Sequence, residues 1–255
     1  MPNSDGDYIW YELLSSDPDA AADFYGKVVG WTVRDAGMGG DMDYRLFSAP
    51  DADIGGLMKM PDGMPSGPTW LGYVGVSDVD AAAAKVTELG GAVHMPPADI
   101  PGVGRFAKVA DPQGVAFYVM RGDSEEKSTA FQPLANGHCG WNELSTSDQA
   151  GALDFYGRLF GWKKGDAMPM DEMGDYRFIH HHDEMIGAVM NRPKDGPPSR
   201  WTYVFRVPGV EAAAERIREN GGSVTFGPVE VPGGDWVINA VDPQGAMFGL
   251  FGPKN

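Results

Sequence analysis

Cysteine is almost missing from this chain of 255 residues, in which Cys139 is the one thiol. An intrachain disulfide is therefore impossible, and nothing marks an oxidising compartment. Long apolar runs are also missing, since none approaches the roughly 20 residues that cross a bilayer. The acidic, polar N-terminus lacks the basic and then apolar pattern of an export signal. We therefore expect a cytoplasmic protein that has no membrane partner.

Positive charge is scarce as well. The sequence has 20 Lys and Arg residues against 36 Asp and Glu residues, which gives a formal net charge of −16. A charge of this sign and size repels the phosphates of nucleic acids and anionic membranes over long range. We therefore expect no nucleic-acid partner, and the sequence favours a small molecule as the ligand.

What the sequence does contain is a long repeat. Residues 10–31 hold the sequences WYEL, FYG and GW, and residues 141–162 return them as WNEL, FYG and GW at a constant offset (143 − 12 = 131). The offset persists to the DPQG sequences at 111–114 and 242–245. A period this long indicates a duplicated domain, because solenoid repeats run to roughly 20 to 50 residues. We predict a first domain at 1–122, a linker at 123–136 and a second domain at 137–255.

Each half has the pattern strand, helix and three strands, repeated once. In the first half, apolar periodicity predicts a first strand and a first helix with apolar residues on one face. A proline lies in the first turn of that helix, and a Gly-Gly sequence ends the second helix. The predicted strands are 8–14, 44–48, 54–60, 70–76, 92–95, 105–110 and 115–120, and the second helix is 79–89. This pattern predicts an α+β fold in which paired βαβββ units form a cupped mixed sheet with the helices outside.

The order of elements, the FYG sequence near the end of the first helix and the DPQG turn before the last strand resemble the vicinal oxygen chelate superfamily. That family includes glyoxalase I, extradiol dioxygenases and the bleomycin and fosfomycin resistance proteins. Within it, the chain is similar to the tandem two-domain glyoxalase-like proteins. The resemblance implies the fold directly, but it leaves function open because this fold hosts isomerases, oxygenases, transferases and binding proteins.

The resemblance also implies where a catalytic metal would be held. Counting from the shared motifs places the family's ligand positions at Trp10, Leu71 and Tyr118 in the first half and at Trp141, Thr202 and Gly249 in the second. None of these is a usual ligand, and the first half has one histidine, His94. Strand alternation lets at most His180 and His182 share a face, and we interpret this histidine run as the exposed tip of a hairpin. We therefore expect no metal or other cofactor, with a divalent metal as the disfavoured alternative.

Glu12 and Glu143 are the predicted catalytic residues. Each lies two positions beyond a vacated ligand position, so strand alternation places it on the face of Trp10 or Trp141. A carboxylate enclosed by aromatic residues has a raised pKa and is suited to act as a general base near neutral pH. The alternative is a structural carboxylate that is satisfied by backbone donors or by an arginine such as Arg45 or Arg177.

The remaining predicted ligand contacts are aromatic, apolar or basic. Tyr118 either donates a hydrogen bond to a ligand oxygen or packs in the interior. The apolar residues and the other aromatic residues either form the wall of a pocket or pack in the core. An arginine in the first half stands where the second half has Trp236, which suggests anion binding in that half alone. Together with Trp10 and Trp141, the predicted ligand-binding residues are Tyr118, Trp70, Trp201, Met58 and Arg105.

These observations leave three hypotheses for function. The leading one is a metal-free, glyoxalase-like protein that sequesters or converts a small, partly aromatic or carbonyl-bearing molecule. The alternative is an enzyme of lactoylglutathione lyase type or a ring-cleaving dioxygenase, whose metal ligands lie at displaced positions. The third is a scaffold whose cups are filled by side chains. The sequence is compatible with a monomer or a homodimer.

Overall fold

The computed structural model describes residues 3–38, 43–64, 67–170 and 174–255. Both copies follow the predicted order of elements. In the first copy these are β1 (Tyr8–Ser15), α1 (Pro18–Val28), β2 (Thr32–Asp35), β3 (Tyr44–Ser48), β4 (Asp53–Lys59), β5 (Thr69–Gly75), α2 (Val79–Glu88), β6 (Ala92–Ile100), β7 (Gly104–Ala110) and β8 (Ala116–Gly122).

The second copy repeats the same sequence of elements. They are β9 (Cys139–Thr146), α3 (Gln149–Phe160), β10 (Lys163–Pro169), β11 (Asp175–His181), β12 (Glu184–Asn191), β13 (Arg200–Arg206), α4 (Val210–Glu219), β14 (Ser223–Glu230), β15 (Trp236–Val241) and β16 (Met247–Gly252).

The strands form two mixed sheets of eight. The order in the first sheet is β2-β3-β4-β1-β5-β8-β7-β6, and the order in the second is β10-β11-β12-β9-β13-β16-β15-β14. In each sheet the first strand of a βαβββ segment pairs in parallel with the last strand of that segment, as β1 does with β4 and β13 with β16. The outer pairs are antiparallel. A helix between parallel strands is the usual crossover, so each segment is one supersecondary unit.

Local sequence explains how the helices begin and end. Asp17 caps α1 by accepting a hydrogen bond from the backbone N–H of Ala20 at 3.0 Å, and Asp148 does the same for α3 with Gly151 at 2.9 Å. Such caps satisfy N–H groups that have no partner within a helix. Helix α3 ends at Gly161 with φ +74°, a conformation that glycine adopts without steric cost.

The chain divides into two compact units that do not coincide with the two copies. Unit 1 comprises Met1–Ile9, Gly72–Ser128 and Trp141–Trp201, and unit 2 comprises Trp10–Leu71, Thr129–Gly140 and Thr202–Asn255. Each unit therefore combines a βαβββ segment of one copy with a segment of the other. The bounds predicted for the two domains along the sequence stay a prediction.

Strand β2 was not among the predicted ranges, and the main difference in the bounds of a predicted strand is in β6. We expected it at 92–95, but it extends to Ile100 through two shifts of register against β7. Pro96 and Pro97 lie within the second of those shifts, between Met95 and Ala98, and proline is tolerated in a strand at an edge or a bulge. The apolar signal therefore ends before the strand does. No helix among the described residues is long and apolar enough to cross a membrane.

Candidate functional site

Of the two predicted catalytic carboxylates, Glu143, on β9 in unit 1, is more exposed to solvent than Glu12. The strand alternates: Asn142 and Leu144 are fully buried, whereas Trp141, Glu143 and Ser145 are half-buried on the opposite face. This is the alternation expected of a strand with one face in the core. Trp141 and Glu143 therefore share a face, as the sequence predicts.

A chain of hydrogen bonds fixes the Glu143 carboxylate. The indole N–H of Trp141 donates to the hydroxyl of Tyr176 at 2.7 Å, and that hydroxyl donates to Glu143 Oε2 at 2.7 Å. Phe178, two residues along β11 from Tyr176, packs edge-to-face against Trp141 with ring centroids 6.0 Å apart. The Tyr176 hydroxyl, itself held by Trp141, thus orients one oxygen of the carboxylate.

The surroundings of Glu143 also shift the pKa values of its carboxyl group and of two neighbouring side chains. Burial raises the pKa of Glu143 above its ordinary value of 4.5, an effect that the Tyr176 hydrogen bond and the charge of Arg200 oppose in part. Burial likewise raises the pKa of Tyr176 well above 10.0, so this hydroxyl remains a donor. Burial lowers the pKa of Arg200, and its Nε is buried with no hydrogen-bond partner among the described residues. We call Trp141, Glu143, Tyr176, Phe178 and Arg200 the Trp141 cluster.

The equivalent residues of the first copy lie in unit 2. Trp10 donates its indole N–H to the Tyr44 hydroxyl at 3.0 Å, so this bond is repeated. Glu12, however, is buried with 3% of its surface exposed. Leucine replaces serine two positions further along this face, at Leu14, and threonine replaces arginine at Thr69.

The arginines that we expected to satisfy the two glutamates have other partners. Arg45 binds Asp19 and Asp43 at 2.7 and 2.8 Å, and Arg177 binds Asp175 at 2.8 Å. For Glu143 the hydrogen-bonding partner on β11 is a tyrosine, one residue before the expected arginine. Side chains alternate along a strand, so Arg177 lies on the face opposite to Tyr176.

Trp70 lies in the core of unit 2 and takes part in a buried polar network. Its indole N–H donates to the Tyr25 hydroxyl at 2.9 Å, and Tyr25 donates to Asp242 Oδ2 at 3.1 Å. The other oxygen of Asp242 accepts three backbone N–H groups at 2.8 to 2.9 Å, two in the DPQG turn and one directly after it. The helix tyrosine of one copy thus binds the turn of the other.

Trp201 occupies the same place in unit 1. It donates to the Tyr156 hydroxyl at 3.0 Å, and Tyr156 donates to Asp111 Oδ2 at 3.1 Å. The FYG and DPQG sequences recur, therefore, because each tyrosine satisfies the turn aspartate of the opposite copy. A pocket-wall role for Trp70 and Trp201 stays a prediction, and their indole N–H groups are already engaged.

The other predicted ligand-binding residues, Tyr118, Met58 and Arg105, are not part of the Trp141 cluster. Tyr118 is buried and stacks on Tyr73 with ring centroids 4.2 Å apart, and Met58 is half-buried at the end of β4. Arg105 binds Asp80 through two hydrogen bonds and Asp99 through a third. Anion binding by Arg105 would need one of these pairs to open.

The interpretation of the histidine run as an exposed tip is wrong for His181. This residue is buried with 7% of its surface exposed, and its Nε2 lies 3.3 Å from Asp7 Oδ1. His182 is exposed and has φ +52°, which breaks strand alternation and brings its ring 4.1 Å from that of His181, between centroids. The sequence argument considered each copy alone, and so it missed a group that draws on both.

Arg200, Tyr176 and Phe178 are the cluster residues that sequence reasoning missed. A signal for Arg200 was present: it is the counterpart of Thr69 (200 − 131 = 69), so a charge appears in one copy alone. Tyr176 has an equivalent in Tyr44, and no sequence signal at Tyr176 predicts that it contacts Glu143. That contact depends on the order of strands, in which β12 separates β11 from β9.

Two tandem copies of a doubled βαβββ unit define the class of fold, and comparison with known proteins identifies it. The family described as the Glyoxalase/Bleomycin resistance protein/Dioxygenase superfamily matches residues 8–119 and 137–250. The chain belongs to this family. The match confirms the resemblance predicted from the FYG and DPQG sequences and, with it, the fold of two tandem domains.

Curated relatives span nearly the whole chain. "Putative glyoxylase CFP32" of Mycobacterium tuberculosis is 32% identical over 96% of this chain and 94% of its own length. "Anthracycline biosynthesis protein DnrV" of Streptomyces peucetius is 34% identical over 94% of this chain and 91% of its own length. Among solved structures, the Mn(II)-bound glyoxalase from Novosphingobium aromaticivorans covers 97% of this chain and 81% of its own, with a TM-score of 0.64 and 20% identity. That last similarity is one of fold.

The residues at the metal positions implied by the resemblance do not fit a metal. Trp10 and Trp141 use the indole N–H in bonds to Tyr44 and Tyr176, and an indole N–H is a donor that does not ligate an ion. The other positions hold Leu71, Tyr118, Thr202 and Gly249. In the described part of the chain, one group of three His, Cys, Asp or Glu residues has ligand atoms close enough to share an ion, and it contains neither Glu12 nor Glu143.

Proposed function

We propose that the Trp141 cluster binds a small, partly aromatic, carbonyl-bearing molecule without a metal and that Glu143 exchanges a proton with it. The observation that carries the proposal is the unpartnered Nε of Arg200 within electrostatic reach of a carboxyl group whose pKa burial raises. Buried polar groups are rarely left without a partner, and such exceptions are frequent at functional sites. A ligand oxygen is a suitable partner for this N–H.

The two charged residues suit complementary roles on a carbonyl compound. Tyr176 holds Oε2 of Glu143, so Oε1 is the oxygen that can take a proton from the carbon next to the carbonyl. Removal of that proton leaves an enolate, whose negative oxygen the Arg200 guanidinium stabilises. Return of the proton to the same or an adjacent atom restores a neutral compound with no net oxidation or reduction.

The aromatic residues favour a flat ligand. Trp141, Tyr176 and Phe178 are all half-buried, and Trp141 and Tyr176 each pack edge-to-face against Phe178. The DYR sequences at 43–45 and 175–177 show that the offset is 132 in this hairpin, so Leu46 stands at the position of Phe178 and the aromatic set is complete in one copy alone. The name of the relative from Streptomyces peucetius refers to anthracycline biosynthesis, and anthracyclines are flat aromatic ketones. Sequestration of such a molecule is the binding half of the same proposal, and we place it in the cytoplasm.

The test uses phenylpyruvate, a small aromatic ketone with exchangeable hydrogens next to the carbonyl. Its binding is measured by calorimetry, and exchange of those hydrogens in D₂O is followed by NMR. We expect Glu143→Gln to retain affinity while slowing catalysed exchange by about 10²- to 10⁴-fold, the usual contribution of a general base. Glu12→Gln is the matched control and is expected to change neither.

Two results would contradict this proposal. One is exchange that persists unchanged in Glu143→Gln, which would remove the base. The other is failure of the wild-type protein to bind phenylpyruvate at all. Tight binding with no catalysed exchange in the wild-type protein would limit the function to sequestration.

A further inference from the structure

A group of side chains at the N-terminal end of unit 1 has the composition of a metal site. Asp7 precedes β1, His181 ends β11, and His182 follows it in the turn to β12. One ligand atom of each residue lies within 4.8 Å of the others. We call these three residues the His181 site. It includes none of the residues of the Trp141 cluster.

Packing holds the His181 ring in place before any ion is present. A side chain at position 6 would lie 2.8 Å from His181 Cε1, so Gly6, with φ +99°, allows the backbone to pass against the ring. The carbonyl of Gly6 accepts a hydrogen bond from the Trp162 indole at 3.0 Å, which fixes this backbone next to Asp7. Preorganised ligands of this kind lose little entropy on binding an ion.

The buried imidazole of His181 has a ring nitrogen with no hydrogen-bond partner among the described residues. Its Nε2 lies 3.3 Å from Asp7 Oδ1, but the alignment is too poor for a hydrogen bond, and Nε2 has no other partner among the described residues. The separation matches the roughly 3.3 Å between two ligands of a tetrahedral ion at the usual zinc distances of about 2.0 to 2.1 Å. Asp7 itself is held by the backbone N–H of Ser4 at 2.8 Å.

The equivalent place in unit 2 shows what a purely structural pair looks like. His138 stands at the repeat position of Asp7 (138 − 7 = 131), and its partner is Asp51, so the acid and the imidazole have exchanged sides. His138 Nε2 lies 2.8 Å from Asp51 and its Nδ1 lies 2.6 Å from the carbonyl of Thr129. Both ring nitrogens are therefore engaged, and there is no position for an ion.

We infer that the His181 site binds a divalent transition-metal ion such as Zn²⁺ through Asp7, His181 and His182. Two imidazoles and one carboxylate favour Zn²⁺, Ni²⁺ or Cu²⁺ over Mg²⁺ and Ca²⁺, which prefer oxygen ligands. The exposed ring of His182 gives the ion a route from solvent. The bound ion joins the segment before β1 to the β11–β12 hairpin and keeps a coordination position open for water.

The test is a calorimetric titration of the untagged, full-length protein with Zn²⁺. We expect one ion per chain, and affinity at least tenfold weaker in His182→Ala and in Asp7→Asn. His180→Ala removes a neighbouring histidine outside the site, and Asp51→Asn opens the equivalent pair in unit 2. Both controls are expected to bind Zn²⁺ as the wild-type protein does. Zn²⁺ is also expected to raise the melting temperature of the wild-type protein and not that of His182→Ala.

Three results would overturn the inference. They are the absence of saturable binding, unchanged affinity in His182→Ala, and an equal loss of affinity in His180→Ala, which would indicate general attraction to the histidine run. His182 is exposed, so its replacement tests the site even if Asp7→Asn fails to fold. The titration measures binding alone, and its outcome is independent of the exchange reaction proposed for the Trp141 cluster.

Discussion

The same glutamate has two different surroundings in the two copies. Glu12 is buried on a face that continues with Leu14, whereas Glu143 is half-buried on a face that continues with Ser145. Arg200, within electrostatic reach of Glu143, replaces a threonine of the first copy. After duplication, the backbone and the tryptophan–tyrosine bond stayed, but the side chains around the carboxylate became polar in one copy and apolar in the other.

The buried networks show the opposite behaviour, because they stayed equal. Tyr25 with Asp242 and Tyr156 with Asp111 have the same donor, the same acceptor and the same 3.1 Å separation. Burial is the largest cause of a raised pKa in both aspartates. Each network contains one residue set from each copy, so a change in either copy would damage a unit. Residues that hold the fold were thus constrained twice, whereas the side chains around Glu12 and Glu143 diverged.

The largest effect is expected from removing the charge that distinguishes the copies. Arg200→Thr gives the second copy the residue of the first, and we expect it to weaken phenylpyruvate binding about tenfold to hundredfold. This is the range for loss of a hydrogen bond to a charged group, about 1.5 to 3 kcal/mol. Calorimetry at constant salt measures the change in dissociation constant.

The reciprocal change, Thr69→Arg, is the control for this comparison. It adds a guanidinium to the first copy, where Leu14 and Leu46 still stand in place of Ser145 and Phe178. Binding at the Trp141 cluster should stay within about twofold, as for independent sites. Equal affinity in Arg200→Thr and the wild-type protein would show that the two copies do not differ in the way we propose.

The sequence predicted the fold well because its signals are local and repeated. Asp17, Gly161 and the DPQG turns mark the ends of elements through their own backbone preferences, and the constant offset let one copy check the other. The identity of the sheet neighbours is a tertiary property, and the contact between Tyr156 and Asp111 could not be predicted from either copy alone. Its residues are 45 positions apart and belong to different copies.

The candidate site was predicted in part. Trp141 and Glu143 follow from strand alternation, which needs no knowledge of neighbouring strands. Tyr176 and Arg200 come from two other strands, so their approach to Glu143 depends on sheet order and on burial. His182 escaped prediction for a different reason: a positive φ at a residue other than glycine is uncommon, and no sequence rule marks it.

The next effect tests the shared core, where the copies should respond alike. Tyr25→Phe and Tyr156→Phe each leave a buried indole N–H and an aspartate oxygen without the hydroxyl. We expect each to lower the free energy of unfolding by about 1 to 3 kcal/mol, the cost of unsatisfied buried groups. Urea denaturation measures both, and losses that differ severalfold would contradict the equivalence of the two networks.

A smaller effect is expected on the pH dependence of stability, to which Glu143 contributes through its raised pKa. The pKa of Glu143 in the folded protein is raised above its ordinary value of 4.5 by burial. Its contribution to stability is therefore full below that value and is lost as pH rises through the raised pKa. Glu143→Gln lacks this titration, so its stability relative to wild type should rise with pH, by about 1.4 kcal/mol per unit of pKa difference.

Urea denaturation of both proteins across this pH range gives the difference directly. Asp111 and Asp242 also have raised pKa values, but they are present in both proteins and cancel in the subtraction. A difference that stays constant with pH, or one that falls as pH rises, would show that burial does not disfavour the ionised form of Glu143.

The smallest effects on the free energy of unfolding are expected at the two His–Asp pairs, Asp7 with His181 in unit 1 and Asp51 with His138 in unit 2. Asp51 is 62% exposed in its side chain, whereas Asp7 is 12% exposed, so solvent screens the first pair far more than the second. In metal-free buffer, Asp51→Asn should cost about 0.2 to 1 kcal/mol of unfolding free energy, the usual range for an exposed pair. The loss should shrink at high salt, because exposed charges are screened.

Asp7→Asn is the matched change in unit 1, and the comparison depends on which pair loses more. For both aspartates the pKa in the folded protein is lowered: at Asp7 burial raises it but is outweighed by His181, Ser4 and Lys127, and at Asp51 the hydrogen bond to His138 lowers it. Both contributions are therefore present at neutral pH and disappear as pH falls through the lowered values. We expect the loss to be larger for Asp7→Asn, and larger still once Zn²⁺ is added, since the ion stabilises the folded state that binds it. Equal losses from the two variants with and without Zn²⁺ would mean that both are structural pairs and that the second imidazole of unit 1 has no separate role.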